Sequence, residues 1–299
     1  MKISEPPSEF AGRALSGGRT KPFVRHRRKN ARDALNGAGR GVDNYWMAEE
    51  ISLEEFAGGL DDSVEIIEFL APAISLWSES ACWAGYSAPH TFWRSEISLM
   101  DEAGLVGDPL VVIGHVDFLM VPTGFGDICA ELDSISTYTD WTVNRFSPLF
   151  KEGSVDPGID LRFDGSTEVA LLVVNACVHD LFRGHHLGAW AVATTIMTMM
   201  PVSTGLAALC PHSEDLGGGE ISADSAAAVS RFNRYWERIG FRPLPDHPEI
   251  LALATGAPDQ VAAFETLHKR FFPEDDDVAA ETVHVAAGAL KRAFQRAAK

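Results

Sequence analysis

The chain has 299 residues, 46% hydrophobic and 22% charged, with four cysteines and a formal net charge of −17. That is enough apolar material for a substantial core, and no apolar run approaches the roughly 18–20 residues that a spanning helix needs. The excess of carboxylates argues against a nucleic acid as the partner of the main body, because phosphates would be repelled.

Cys82, Cys129, Cys177 and Cys210 are scattered without metal-type spacing and read as buried free thiols in a reducing cytoplasm, Cys177 lying inside an apolar strand. The N-terminus carries charge without a hydrophobic signal core, so a cytoplasmic location is expected.

The charge is unevenly placed. Residues 1–40 hold ten Lys or Arg and three Asp or Glu, a net of +7, and residues 41–299 carry the balance of −24. Residues 1–46 combine this basic cluster with Pro and Gly pairs and are expected to form a disordered tail, either simply solvated or an anchor for nucleic acid. The abrupt change at Met47-Ala-Glu-Glu makes Met47 an alternative start. An acidic body suits a cationic amine substrate, and solubility explains it equally well.

A main domain is read over 47–245. Ser52-Leu-Glu-Glu-Phe56 is a capped helix start, and Val64-Glu-Ile-Ile-Glu-Phe-Leu70 fits a strand or a helix. Residues 81–90 read as a loop. Residues 109–121 form one strand, which Gly124-Phe-Gly126 turns into a second over 127–135 with one wetter face. Residues 139–163, broken by Pro and Gly, are irregular.

Val169-Ala-Leu-Leu-Val-Val-Asn-Ala-Cys-Val178 is a buried strand, and after His179 to Leu187 a helix runs from Gly188 to Met200. A strand, a tight turn and a helix start aim free N–H groups and the positive helix end at one spot, which suits an anion such as a pyrophosphate. Asn175 is unusual in such a strand and marks either a cofactor contact or a bulge. His179, His185 and His186 lack the spread of ligands that a zinc site draws on, so no metal is expected. Thr204 to His212 reads as the next strand and Ser225 to Ile239 as a helix closed by Gly240-Phe241. Residues 246–299 read as a C-terminal helical extension, with helices over 258–270 and from about Asp277. Val278, Val283, Val285, Ala286, Leu290 and Phe294 form the apolar face of the last helix, packed on the core or on a partner subunit in a homodimer.

Arg183-Gly-His-His-Leu-Gly188 resembles the acyl-CoA-binding pattern Arg/Gln-x-x-Gly-x-Gly/Ala of the GNAT N-acetyltransferase superfamily. Arg183 and Gly188 match, and His186 stands where the first family glycine is expected. Ser230-Arg-Phe-Asn-Arg-Tyr-Trp-Glu-Arg-Ile-Gly-Phe241 resembles the family's late helix, which closes in Tyr-x-x-x-Gly-Phe; here Trp236 holds the tyrosine position and Tyr235 is its neighbour. The resemblance spans about 105–245. It implies an α/β (α+β) fold with a mixed, mostly antiparallel sheet flanked by helices. The activity it implies is acyl transfer, acetyl by default, from acetyl-CoA as cosubstrate to a primary amine on a small molecule or peptide.

By that resemblance, backbone groups of Arg183, Gly184, His185, His186, Leu187, Gly188 and Ala189 would hold the pyrophosphate. The strand edge at Val174, Ala176 and Val178 would pair with the pantetheine amides. Arg183 is then a phosphate ligand or a solvated helix-end cation, and Tyr235 is the general acid or an ordinary helix residue. Glu168 and Glu131 are the candidate bases, with Asp133, His115 and His179 behind them. The departures at His186 and Trp236 leave a catalytically weak acyl-CoA-binding regulator as the alternative, and the basic tail leaves an RNA- or ribosome-associated acyltransferase.

Overall fold

A computed structural model describes residues 50–78, 91–103, 110–124, 128, 145–160, 167–200, 205–210, 223–274 and 278–297. Among the described residues its frame is a nine-stranded, mostly antiparallel sheet with six α-helices, a mixed α+β fold. The strands are β1 (Glu50–Ser52), β2 (Ile66–Ser78), β3 (Thr91–Asp101), β4 (Leu110–Pro122), β7 (Val169–Val178), β8 (Gly205–Leu209), β9 (Arg242–Pro243), β10 (Leu251–Ala254) and β11 (Val283–Ala286). They lie in the order β11-β2-β3-β4-β7-β8-β10-β9, with β1 parallel to the start of β4. A separate hairpin joins β5 (Phe150–Lys151) to β6 (Ser154–Val155).

Helices α1 (Leu53–Gly59), α3 (Leu187–Met199), α5 (Pro258–Phe271) and α6 (Ala287–Ala297) cover one face. The end of α4 (Ala223–Glu237) joins them through Trp236, Ile239 and Phe241. Their core meets Phe69, Leu76, Ile97, Val116, Phe118 and Val173 of the sheet. The other face is covered at one end by residues 146–159, including the short α2 (Pro157–Asp160), which pack on Leu119, Val121, Leu172 and Ala208. Leu187 to Ile196 of α3 are all buried, because this helix sits between the sheet and α5 and needs no polar face.

Ser52 caps α1 as expected, its hydroxyl accepting from Glu55 N–H at 3.1 Å. Residues 66–70 resolve as strand. Residues 127–135 lie outside the described residues apart from the buried Ile128. In the described sheet β4 lies between β3 and β7, antiparallel to both; β3 was not read from the sequence.

The C-terminal reading needs correction. Val283–Ala286 is a strand closing the β2 edge, and the helix starts only at Ala287. Val283 and Val285 are buried while His284 and Ala286 are exposed, a period of two that places these valines in a sheet. Residues 246–299 also supply β10, whose four small and apolar residues are too few to show a period.

Two features shape β7. Asp117 of β4 pairs with Asn175 and Phe118 with Val173, so Val174 is an extra, bulged residue. Ala170 and Leu172 point to the second face, and after the bulge so do Asn175 and Cys177, while Ala176 and Val178 pack into the helix-covered core. A bulge also tightens the local twist. The parallel pairing with β8, in register from Val169↔Gly205 to Val173↔Leu209, ends at this point.

Past the bulge β4 and β7 pass closely. A Cβ on Gly114 would overlap the Cys177 carbonyl oxygen and crowd Val178 Cα, both backbone atoms that cannot swing away. Gly114→Ala is therefore expected to lower stability by about 1–3 kcal/mol through overpacking, read as a lower urea midpoint. An unchanged midpoint would show that the two strands have room to spare.

Candidate functional site

The carboxyl end of β7 is the junction of three elements. Among the described residues no strand pairs with the β7 edge on the β8 side from Val174 to Val178. At Val178 the chain enters a short 3-10 turn (Asp180–Phe182), whose start is held by His179: its Nδ1 accepts from Leu181 N–H at 3.4 Å and its carbonyl from Phe182 N–H at 2.9 Å. The chain then reverses through two left-handed residues, Gly184 (φ 95°) and His186 (φ 60°), into α3. His186 thus stands in a conformation that glycine adopts without strain and that costs other residues roughly 1–2 kcal/mol.

The backbone donors sort cleanly. Arg183 N–H donates to the Asp180 carbonyl at 3.2 Å, and Trp190 N–H closes the first helical bond to the His186 carbonyl at 2.9 Å. Ala189 N–H, expected to bind phosphate, donates instead to Tyr235 Oη at 2.8 Å. Among the described residues the N–H groups of Gly184, His185, His186, Leu187 and Gly188 have no protein acceptor. Left-handed residues and a helix start thus leave five successive donors without a protein acceptor, a pattern that suits anions.

Gly188 also makes room for a neighbouring side chain. A Cβ there would stand 3.1 Å from Tyr235 Oη and 3.5 Å from Val178 Cγ2, so the missing side chain makes room for the phenol. Tyr235 and Trp236 divide as neighbours on a helix must. Tyr235 faces the α3 start and stacks on His186 (centroids 5.8 Å apart), whereas Trp236 is 4% exposed among Phe232 and Phe241, its indole N–H without a partner among the described residues. Of the two, the phenol is therefore the one at the junction. Burial pushes its pKa above the ordinary tyrosine value, against the opposing pull of the Ala189 N–H and Arg238.

Three arginines lie near this turn. Arg183 pairs with Asp180 (Nη2 to Oδ1, 2.8 Å), and its Nε donates to the Val178 carbonyl at 3.3 Å. Arg238 Nη1 donates to the His186 ring, 2.8 Å from Nε2. Arg270 pairs with Glu281 at 2.8 Å, and the other Glu281 oxygen lies 3.3 Å from His185 Nδ1. Burial, then Arg238 and Arg270, lower the pKa of His186, so its ring is a neutral acceptor at pH 7. Arg238 and Arg270 were not singled out in the sequence, although Arg238 follows Tyr235 by three residues and so shares its helix face.

Glu168 does not join this group. It is exposed at the opposite end of β7, about 33 Å away at the usual strand rise of 3.3 Å per residue, and so is placed out of reach of Tyr235. Glu131 and Asp133 lie outside the described residues. The expectation of a buried Cys177 also fails: the bulge turns this thiol outward, whereas Cys210 is buried and its pKa pushed up to about 11 by desolvation.

On the second face, just inside the open edge, Arg94 forms a two-pronged pair with Asp117 (Nε to Oδ1 2.5 Å, Nη2 to Oδ2 2.9 Å). His115 Nε2 lies 3.5 Å from Asp117 Oδ2 and 3.2 Å from Asn175 Nδ2. Their sequence trace is a polar residue at every second position in apolar strands: Arg94-x-Glu96, His115-x-Asp117 and Asn175-x-Cys177.

Among the described residues no group of three His, Cys, Asp or Glu is placed to hold a metal, and no helix is long and apolar enough to cross a membrane. Comparison with protein-family models, curated proteins and solved structures returned no match.

Tyr235→Phe removes the acceptor of Ala189 N–H. A loss of about 1 kcal/mol is expected, or roughly 2–4 °C in melting temperature. A variant as stable as the wild type would show that the phenol does not cap α3.

Proposed function

We propose that the protein is an acyl-CoA-dependent N-acyltransferase that moves an acetyl group from acetyl-CoA to a primary amine. The observation that carries this reading is the meeting of an unpaired strand edge, Val174 to Val178, with five free N–H groups at the start of α3. An extended amide chain adds to a free strand edge through main-chain hydrogen bonds, and a diphosphate suits a helix start lined by donors and arginines. Coenzyme A carries both groups in sequence, separated by a short linker. The same layout supports the resemblance to the GNAT superfamily drawn from Arg183–Gly188 and Ser230–Phe241, with its mixed sheet and late helix.

Tyr235 takes the role of general acid in this reading. Its oxygen accepts from Ala189 N–H, which leaves its own proton free for the departing thiolate. Burial keeps the phenol protonated at neutral pH. The phenolate formed on transfer faces the positive end of α3 and Arg238, which stabilise negative charge. A protein that only binds acyl-CoA would share the cradle and the edge but would not need this proton, so turnover separates the two.

Coenzyme A at about 100 times its dissociation constant is expected to stabilise the fold by roughly 2.7 kcal/mol, a shift of several degrees. Arg183→Ala and Arg238→Ala should each weaken binding about tenfold, the effect shrinking in high salt. Millimolar coenzyme A without a melting shift would remove the proposal. In turnover with acetyl-CoA and a panel of primary amines, Tyr235→Phe should lower kcat ~10²–10⁴-fold with coenzyme A affinity kept. An unchanged kcat would take the acid role away from Tyr235.

A further inference from the structure

Four adjacent strands place eight side chains in two rows on the second face of the sheet. One row runs Ser75, Glu96, His115, Cys177, and the next runs Trp77, Arg94, Asp117, Asn175. Strand side chains alternate between faces, so positions two apart share one. Elsewhere this face is apolar and covered by residues 146–159; here it is polar.

It is not an ordinary solvated face. Asp117 is 6% exposed, and Arg94 and His115 are half-buried with Trp77 stacked on the guanidinium at 5.5 Å. Burying polar groups in a sheet costs free energy unless each is satisfied. Arg94 satisfies Asp117, and His115, the imidazole of the array, stands beside that pair. Its Nε2 lies between Asn175 Nδ2 at 3.2 Å and Asp117 Oδ2 at 3.5 Å, and a neutral imidazole carries one N–H and one basic nitrogen. A basic lone pair is thus held on the sheet one strand in from the open edge of β7.

We infer that this array is the docking site for the acceptor amine and that His115 takes the proton the amine gives up, an assignment that rests on the acyl-CoA reading. The docked ammonium gives one proton to water, and the nitrogen of the resulting neutral primary amine attacks the thioester carbon. The N–C bond forms and the C–S bond breaks, its electron pair going to sulfur. One N–H proton passes to the basic nitrogen of the His115 imidazole and the thiolate takes the proton of Tyr235. Solvent restores both groups, so the sum is one amide and one thiol. Asp117 is a positioning residue, 3.5 Å from the imidazolium that forms, and Arg94 fixes Asp117. The charged and titratable groups facing His115 are Arg94 and Glu96 on β3, Asp117 on its own strand and Cys177 on β7, with Glu50 on β1 bonded to Ser75 beyond Glu96. Three carboxylates against one arginine favour a cationic amine on approach. Burial lowers the His115 pKa below its ordinary value, so the ring is a free base at pH 7.

Cys177 makes the site testable without knowledge of the natural acceptor, because it is exposed and sits opposite His115 across the β4–β7 pair. Alkylation by 2-bromoethylamine would attach a primary amine to its sulfur, with bromide leaving. Peptide mapping by mass spectrometry should show this reagent modifying Cys177 roughly tenfold or more faster than 2-bromoethanesulfonate, each rate divided by that for mercaptoethanol. Glu96→Gln should shrink the preference. Acetyl-CoA should then add one acetyl group to the tethered amine, about 10²-fold more slowly in His115→Gln. Both variants leave the Arg94–Asp117 pair intact, and Cys177→Ser is the control for other thiols.

Equal alkylation rates for the two reagents, a tethered amine that is not acetylated, or His115→Gln acetylating at the wild-type rate would each overturn the assignment. Melting shifts with coenzyme A are recorded on the same samples. A shift without tethered acetylation defeats this inference alone, whereas no shift defeats the acyl-CoA reading beneath it.

Discussion

One extra residue in one strand organises the molecule. Had β7 continued in register past Val173, the side chains of Asn175 and Cys177 would point under α3 and those of Ala176 and Val178 into solvent. The bulge at Val174 reverses that assignment and places the apolar pair in the core and the polar pair on the open face. It coincides with the end of β8 pairing. Packing, the free edge and the polar array thus share a single backbone irregularity, held close by the side-chain-free Gly114 against Cys177.

The second organising element is charge. A chain with a net charge of −17 gathers Arg183, Arg238 and Arg270 around the start of one helix, where the backbone adds its own positive potential. Asp180 and Glu281 hold two of these arginines, Asp180 through a fully exposed and therefore weak pair and Glu281 through one whose carboxylate is largely buried. Tyr235 bridges the two halves of the junction: its oxygen is bonded to the α3 start and its ring is stacked on His186. Gly188 gives it the space.

Much of this frame was legible in the sequence, because β7, α3, β8, α4 and α5 each carry a clear apolar run or period bounded by Gly or Pro. The strand-to-helix turn followed from Arg183 to Gly188. Asn175 inside an apolar strand signalled the bulge. Legibility failed where local pattern and tertiary position diverge. Val283 to Ala286 reads as part of a helix until β2 offers it an edge. The reach of Glu168 cannot be read from its neighbours, because a ten-residue strand separates its two ends by most of a domain. Arg94, Asp117 and His115 lie on two strands, and only the pairing register brings them together.

The central claim is that the edge of Val174 to Val178 and the N–H groups of Gly184 to Gly188 receive one ligand. Amide hydrogen exchange with and without coenzyme A tests it most directly. The free protein should exchange these two segments faster than Val169–Val173, which β4 and β8 pair on both sides. Saturating coenzyme A should protect both segments together, leaving Val169–Val173 unchanged. Protection of neither, or protection confined to a different part of the sheet, would contradict the account.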